Sequence, residues 1–202
     1  MFIVIEGLDG SGKSTLLQNL TNYLNAQRPG SVRSSYEPHD PSCGGDYIRA
    51  VLRKEITRFS NRSLVLAFAA NRMDHRHRVI DPWLKTPGNV LLCDRAYLSS
   101  LVYQKSAAYS YDDLMELNRD ARTPNLTIFL NVSNEICRQR MHTRGQAPEL
   151  FETNLDQTRE KYLAAIHYLR TRRKERIEIV NANGTPEEVL AAVVSVLGPL
   201  VG

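Results

Sequence analysis

This chain has little cysteine, no long apolar run and no low-complexity tract, and each absence narrows what it can be. Its three cysteines, Cys43, Cys93 and Cys137, are odd in number and far apart, with no C-x-x-C pair. Neither a zinc site nor a redox motif is indicated, and the three read as reduced thiols of a cytoplasmic protein. The longest apolar stretches, Leu64 to Ala70 and Val189 to Leu197, fall short of the roughly 20 residues a bilayer requires, so both are expected to be core helices rather than membrane spans. The N-terminal apolar run Phe2-Ile3-Val4-Ile5 stops at Glu6 and has no basic leader, so no targeting segment is expected there. No internal repeat and no Ser/Gly-rich linker divides the 202 residues, which predicts a single domain over 1–202. There is no N-K-x-D sequence for reading guanine, which counts against a GTPase. There are no paired carboxylates or convincing catalytic histidines either. His75 and His77 are two positions apart, hence on different helix faces, and are read as bland.

What is present is more specific. Residues 7–14 read GLDGSGKS, a complete G-x-x-x-x-G-K-[ST] phosphate-binding loop, directly after an apolar run of the length and type of a buried strand. Gly7 and Gly12 let the backbone turn so that successive N–H groups converge on phosphate oxygens at the start of a helix. Lys13 would place its charge on the β- and γ-phosphates, and the Ser14 hydroxyl would ligate Mg²⁺. Gly7, Gly10, Ser11, Gly12, Lys13, Ser14 and Thr15 are therefore the candidate contacts to ATP. The formal charge of +4, from 26 Lys and Arg against 22 Asp and Glu, suits a polyanionic small ligand and is too weak to argue for nucleic acid.

Short β-rich runs alternate with helical ones along the chain. Strands are expected at Phe2–Glu6, Val32–Tyr36, Val90–Cys93, Leu126–Val132 and Ile177–Val180. Such alternation predicts a parallel sheet with helices on both faces and a ligand at the carboxyl ends of the strands. Thr185-Pro186-Glu187-Glu188 supplies an N-cap, a proline at the first helical position and a capping-box glutamate, so the last helix should begin near Pro186. The basic run Arg170 to Arg176 ends a long helix, where cations complement the macrodipole; a solvated helix end is favoured over a nucleic-acid patch.

Two further features bear on chemistry. Asp94-Arg95 follows the strand Val90–Cys93, where a carboxylate would lie beside the phosphate loop and hold Mg²⁺, and the arginine would neutralise an acceptor phosphate. In the helical segment Asn61 to Leu84, Phe68 and Arg72 are four residues apart and share a face. That pair suits an aromatic ring against a planar base and a guanidinium on its carbonyl, and equally a core phenylalanine beside Leu64 with an exposed arginine.

With these residues in view the chain resembles the thymidylate kinases, enzymes that pass a phosphoryl group from ATP to dTMP on the way to dTTP. The resemblance runs through FIVIEGLDGSGKST, Glu37-Pro38, Ile48-Arg49, LAFAANRMDHRHRVIDPWL from Leu66, DRAYLSSLVYQ from Asp94, and the strand entered by Pro124-Asn125-Leu126. It implies a three-layer α/β/α P-loop NTPase fold with a five-stranded parallel sheet, ATP and Mg²⁺ at the phosphate loop, and a homodimer. It also implies that Phe68 stacks on thymine, that Arg72 contacts its carbonyl, and that Ser100 and Gln104 complete the reading of the base edge, with Ser99 beside them among the substrate-binding residues. Tyr103 would crowd the 2′ position of the sugar, Asp9 would lie near its 3′-hydroxyl, and Arg95 and Arg49 would serve the acceptor phosphate pocket. The acceptor oxygen is already anionic, so positioning and charge neutralisation suffice without a general base. A lid is expected near 138–152, with Arg140 and Arg144 as its candidate catalytic arginines alongside Lys13, Asp94 and Arg95.

Three departures from the family pattern stand out. Tyr36 occupies a place where many relatives carry arginine, with a linker to Arg49 that is a residue longer. Ala96 replaces the tyrosine common after Asp-Arg. The segment Ala147-Pro148-Glu149-Leu150-Phe151-Glu152 lacks the Asp-Arg pair frequent in bacterial relatives. Burying the thymine methyl contributes only about 0.8 kcal/mol, so dUMP stays open as an acceptor. Another nucleoside monophosphate or deoxynucleoside kinase, or a catalytically weak nucleotide-binding relative, stand as the alternatives.

Overall fold

A computed structural model of the chain describes residues 1–144 and 154–201. Five parallel strands form one sheet in the order β2-β3-β1-β4-β5: β1 is Phe2–Gly7, β2 Val32–Tyr36, β3 Val90–Asp94, β4 Leu126–Asn131 and β5 Ile177–Asn181. The strands expected from the sequence are all present, each within one residue of its expected ends. β1 is central and buried along its whole length, which is why it reads as a continuous apolar run rather than an alternating one.

Alternation along β1 divides the core into two layers. Ile3 and Ile5 pack with Leu16, Leu20 and Leu24 of helix α1, Lys13–Gln27, a stripe repeating every four residues. Helix α9, Pro186–Val201, adds Val189, Val193 and Leu197. It starts as expected: Thr185 Oγ1 accepts from the Glu188 N–H at 3.3 Å while Glu188 accepts from the Thr185 N–H at 2.8 Å. On the other face Phe2 and Val4 pack against Ile80 and the partly buried Trp83 and Leu84. The helix carrying them departs from expectation in the middle. The segment 61–84 comprises α3, Asn61–His75, a π-helical turn at Arg76–Ile80, and α4, Asp81–Leu84. Pro82 explains the wider turn, because its ring would crowd the carbonyl four residues back and it has no N–H to donate. The remaining helices are α2, Gly45–Leu52; α5, Tyr97–Tyr103; α6, Tyr111–Leu117; α7, Asn134–Arg144; and α8, Leu155–Arg172.

This topology brings three strand ends together. β3 lies between β1 and β2, with Ile5 and Tyr36 both in register with Asp94. The phosphate loop, the Glu37-Pro38 turn and Asp94-Arg95 therefore open side by side at the carboxyl edge, where an open α/β sheet binds its ligand. Of the expected lid, Arg138 to Arg144 belongs to helix α7, whereas 145–152 and the side chain of Arg144 lie outside the described residues.

Candidate active site

The phosphate loop leaves β1 at Gly7 and enters α1 through Gly12, which sits at φ 96° as the N-cap and gives the first turn no side-chain cap. The N–H groups of that turn are thus left for a ligand, with the positive end of the helix dipole behind them. Gly10 is the position where the turn is tightest. Its φ is 79°, and a Cβ there would lie 2.5 Å from the carbonyl oxygen of Cys137 on α7. Lys13 folds back over the loop, donating to the carbonyls of Gly7 at 3.0 Å and Leu8 at 2.9 Å, with Asp9 at 3.5 Å.

Asp9 joins two cations. Its carboxylate pairs with Lys13 on one side and with Arg95 at 2.5 Å on the other. Arg95 has φ 70°, a conformation costly for a residue with a side chain, and its backbone N–H is fixed to the Ile5 carbonyl at 2.9 Å. Next to it, Asp94 Oδ1 is buried without a hydrogen-bond partner among the described residues, and both Asp94 and Ser14 line the cavity. An orphaned carboxylate oxygen and a hydroxyl residue lining one cavity are the hard oxygen donors that a divalent cation such as Mg²⁺ takes.

A cavity of about 820 Å³ runs from this loop to α3 and α5. All nine residues expected at the acceptor line it: Asp9, Arg49, Phe68, Arg72, Arg95, Ser99, Ser100, Tyr103 and Gln104. From the phosphate loop, Gly10, Gly12, Lys13 and Ser14 line it as well; Gly7, Ser11 and Thr15 do not. Phe68 packs at the edge of the cluster of Ile48, Val51, Leu52 and Leu64, as its core reading expects, and also lines the cavity. Arg72 is not the exposed arginine that spacing left open. It is buried, with its guanidinium carbon 5.5 Å from the Phe68 ring centre. Nε donates to Glu37 at 2.8 Å, Nη1 to Ser100 and to Asn118 at 2.8 Å each, and Nη2 to the Ala96 carbonyl at 3.3 Å. One N–H of the five is left for the cavity. Gln104, also on the wall, keeps a buried Oε1 with no partner among the described residues.

Arg140 stands elsewhere. Its guanidinium reaches the carbonyls of Ser11 and Ala182 at 3.4 Å and of Gly184 at 3.2 Å, bracing the outside of the phosphate loop rather than lining the cavity.

A family model described as thymidylate kinase matches residues 5–193. The chain is also 34% identical over 200 residues to a probable thymidylate kinase of Pyrococcus abyssi, covering 97% of this chain and 95% of that one. A thymidylate kinase of Ligilactobacillus salivarius is 31% identical over 210 residues, with 97% and 96% covered. The chain belongs to the thymidylate kinase family.

Two of the departures from the thymidylate kinase pattern acquire a structural setting. Tyr36 lines the cavity and carries the Arg49 guanidinium 5.4 Å above its ring, while Asp40, in the lengthened linker, holds Arg49 Nε at 2.7 Å. Ala96 is buried among Phe2, Val4, Leu91 and Cys93, behind the site. The third, at 147–152, lies outside the described residues.

Sequence reasoning also missed several members of this thymidylate kinase site. His75, read as bland, is fully buried beneath it: Nδ1 lies 3.1 Å from Glu37 Oε1, Nε2 lies 2.7 Å from Ser35 Oγ, and the ring stacks on His39 at 4.4 Å. Glu37 thus carries Arg72 on one oxygen and His75 on the other. Glu6 is fully buried and accepts from the Ala96 N–H at 2.9 Å, the Ser99 N–H at 3.2 Å, Ser99 Oγ at 2.8 Å and the Tyr162 hydroxyl at 3.0 Å. Burial pushes its pKa up, opposed by Arg95 and by those donors. A hydrophobic strand ending in glutamate was the one available signal, since a carboxylate in a buried strand has to be paired.

Proposed function

We propose that the protein transfers the γ-phosphoryl group of ATP to dTMP, giving ADP and dTDP. The observation that carries this reading is the single cavity joining a phosphate loop to a wall of Phe68, Arg72 and Gln104, with the Lys13–Asp9–Arg95 cluster between them. ATP phosphates on the loop and a nucleotide base on Phe68 would bring the acceptor's phosphate to Arg95. Arg95 then binds that phosphate, Lys13 turns from the loop carbonyls to the donor's phosphates, and Asp9 keeps the two cations apart and faces the sugar. The acceptor oxygen attacks as an anion, so no residue has to remove a proton, and the protein's part is alignment and charge neutralisation. Ser14 and Asp94 would hold Mg²⁺, which supplies neutralisation of the phosphate charge when bound.

The base wall suits thymine or uracil. The remaining Arg72 Nη2 hydrogen meets a ring carbonyl, and Gln104 Oε1 accepts from the N3–H that cytosine lacks. Tyr103 on the same wall would leave little room for a 2′-hydroxyl. We further read the protein as a cytoplasmic homodimer. No helix among the described residues is long and apolar enough to cross a membrane.

The test is Mg²⁺-dependent ADP formation with dTMP, dUMP, UMP, dCMP, AMP, GMP or thymidine as sole acceptor. Preference for dTMP supports the reading; preference for a purine nucleotide or for thymidine, or ATP binding with no transfer at all, overturns it.

A further inference from the structure

The Tyr162 hydroxyl is a buried polar group at the site to which the chemistry above gives no task. Tyr162 lies on α8, fully buried, its ring stacked on Phe129 at 4.9 Å and edge-on to Tyr103 at 6.1 Å. Its oxygen is 2.8 Å from Arg95 Nη1, 3.0 Å from Glu6 Oε2 and 3.3 Å from Ser99 Oγ. A phenol has one proton, and burial pushes the pKa of this one well above its ordinary value, so that proton stays on. Arg95 can only donate and Glu6 as a carboxylate can only accept, which sets the polarity: the hydroxyl accepts from Arg95 and donates to Glu6. Ser99 Oγ repeats the arrangement, lying 3.3 Å from Arg95 Nη1 and 2.8 Å from Glu6 Oε2.

We propose that Tyr162 is a positioning residue that aims Arg95 at the acceptor's phosphate, by bridging the guanidinium to the buried Glu6 carboxylate. Arg95 is held on both edges, with Nη1 on the Tyr162 and Ser99 hydroxyls and, at 3.5 Å, on that of Tyr103, and with Nη2 on Asp9. Its backbone conformation at φ 70° is unfavourable on its own and persists because the surroundings fix it. A guanidinium ordered before the ligand arrives does not have to be ordered by binding. Glu6 is the last residue but one of β1, so Tyr162 also ties α8 to the strand from which the phosphate loop springs. The proposal rests on reading Arg95 as the residue that binds the acceptor's phosphate.

The experiment compares dTMP with thymidine, ligands that differ by that phosphate, by calorimetry on the wild type, Tyr162→Phe, Ser99→Ala and Arg95→Ala. Thermal unfolding is followed in parallel. Tyr162→Phe keeps the ring on Phe129 and removes only the hydroxyl. The expected result is about tenfold weaker dTMP binding, the scale of one hydrogen bond to a charged group. Thymidine binding and the KM for ATP stay unchanged, and Ser99→Ala gives a smaller loss of the same kind. In the Arg95→Ala background, Tyr162→Phe adds no further loss. Equal weakening of dTMP and thymidine, or a lowered unfolding temperature with both affinities intact, makes Tyr162 a packing residue and overturns the proposal. If Arg95→Ala itself fails to separate the two ligands, the reading of Arg95 falls and the proposal falls with it. A phosphate-confined loss in Arg95→Ala but not in Tyr162→Phe overturns the proposal alone.

Discussion

Gly10 leaves no room for a side chain. At φ 79°, with the Cys137 carbonyl oxygen 2.5 Å from where a Cβ would stand, an alanine meets backbone rather than a side chain that can swing away. The left-handed conformation alone costs an L-residue about 1–2 kcal/mol. Gly10→Ala should therefore shift the loop off Cys137, weakening ATP binding at least about tenfold while the sheet still folds, as read by nucleotide titration and circular dichroism. Unchanged ATP affinity would mean the loop does not need this approach. Gln104 carries a second prediction. Its Oε1, without a partner among the described residues, would face the ring nitrogen lone pair of cytosine, so kcat/KM for dCMP should fall roughly a hundredfold or more below that for dTMP, whereas dUMP, lacking only a methyl, should stay within about tenfold. A Gln104→Leu variant should narrow the gap between dTMP and dCMP; an unchanged gap would take the base reading away from Gln104. The loop was legible in the sequence because its chemistry is contiguous, from Gly7 to Ser14. Tyr162 was not: it meets Glu6 across 156 positions, and nothing in its helical neighbourhood distinguishes it from a core aromatic. Asn118 was hidden in the same way, joined to Arg72 across 46 positions.

Elements were easier to read than residues where burial acts on a whole stretch. The inner strands β1, β3 and β4 were visible because a strand covered on both faces is largely apolar, the partly exposed edge strands β2 and β5 only as short β-rich runs, and α9 announced itself through a capping box. The helix 61–84 was legible as helix but not as helix with a π-turn, since Pro82 exerts its effect only through the carbonyl it would strike. What fixes that helix to β2 and the turn after it is the Arg72–Glu37–His75 group together with Ser35, with Arg72 and Glu37 side chains 4% and 5% exposed. Removing the charge of one partner strands the other in a buried place, a change that costs about 3–5 kcal/mol. Glu37→Gln should accordingly lower the unfolding free energy by that amount, read as a fall in the denaturant midpoint at an unchanged m-value. It should also weaken dTMP binding more than ATP binding, since Arg72 loses its anchor on the acceptor side. An unfolding free energy within about 0.5 kcal/mol of the wild type, the range of ordinary surface changes, would show that Ser100 and Asn118 hold Arg72 unaided.

At the scale of the molecule, the site is a charged cavity between layers whose cores are separate. Ile48, Val51, Leu52 and Leu64 form a small cluster under α2 and α3, apart from the clusters that cover the sheet. On the outer side of α3, Leu66 and Met73 are 45% and 42% exposed and lie seven residues apart, hence on one face two turns from each other. Large apolar side chains repeated along an exposed helix face are costly to leave in water, and the proposed homodimer offers them a partner surface. If the proposed homodimer forms by a closed two-fold pairing of α3 against its copy, the contact would be self-complementary and would bury both residues of both protomers. Because Arg72 and Phe68 stand on the inner side of the same helix, such pairing would also stiffen the wall against which the base stacks. Sedimentation velocity should accordingly show a dimer for the wild type and a monomer for the double variant Leu66→Arg, Met73→Arg, with the monomer's KM for dTMP raised more than its KM for ATP. A wild type that sediments as a monomer at tens of micromolar would remove the homodimer, and a dimeric double variant would move its interface away from α3.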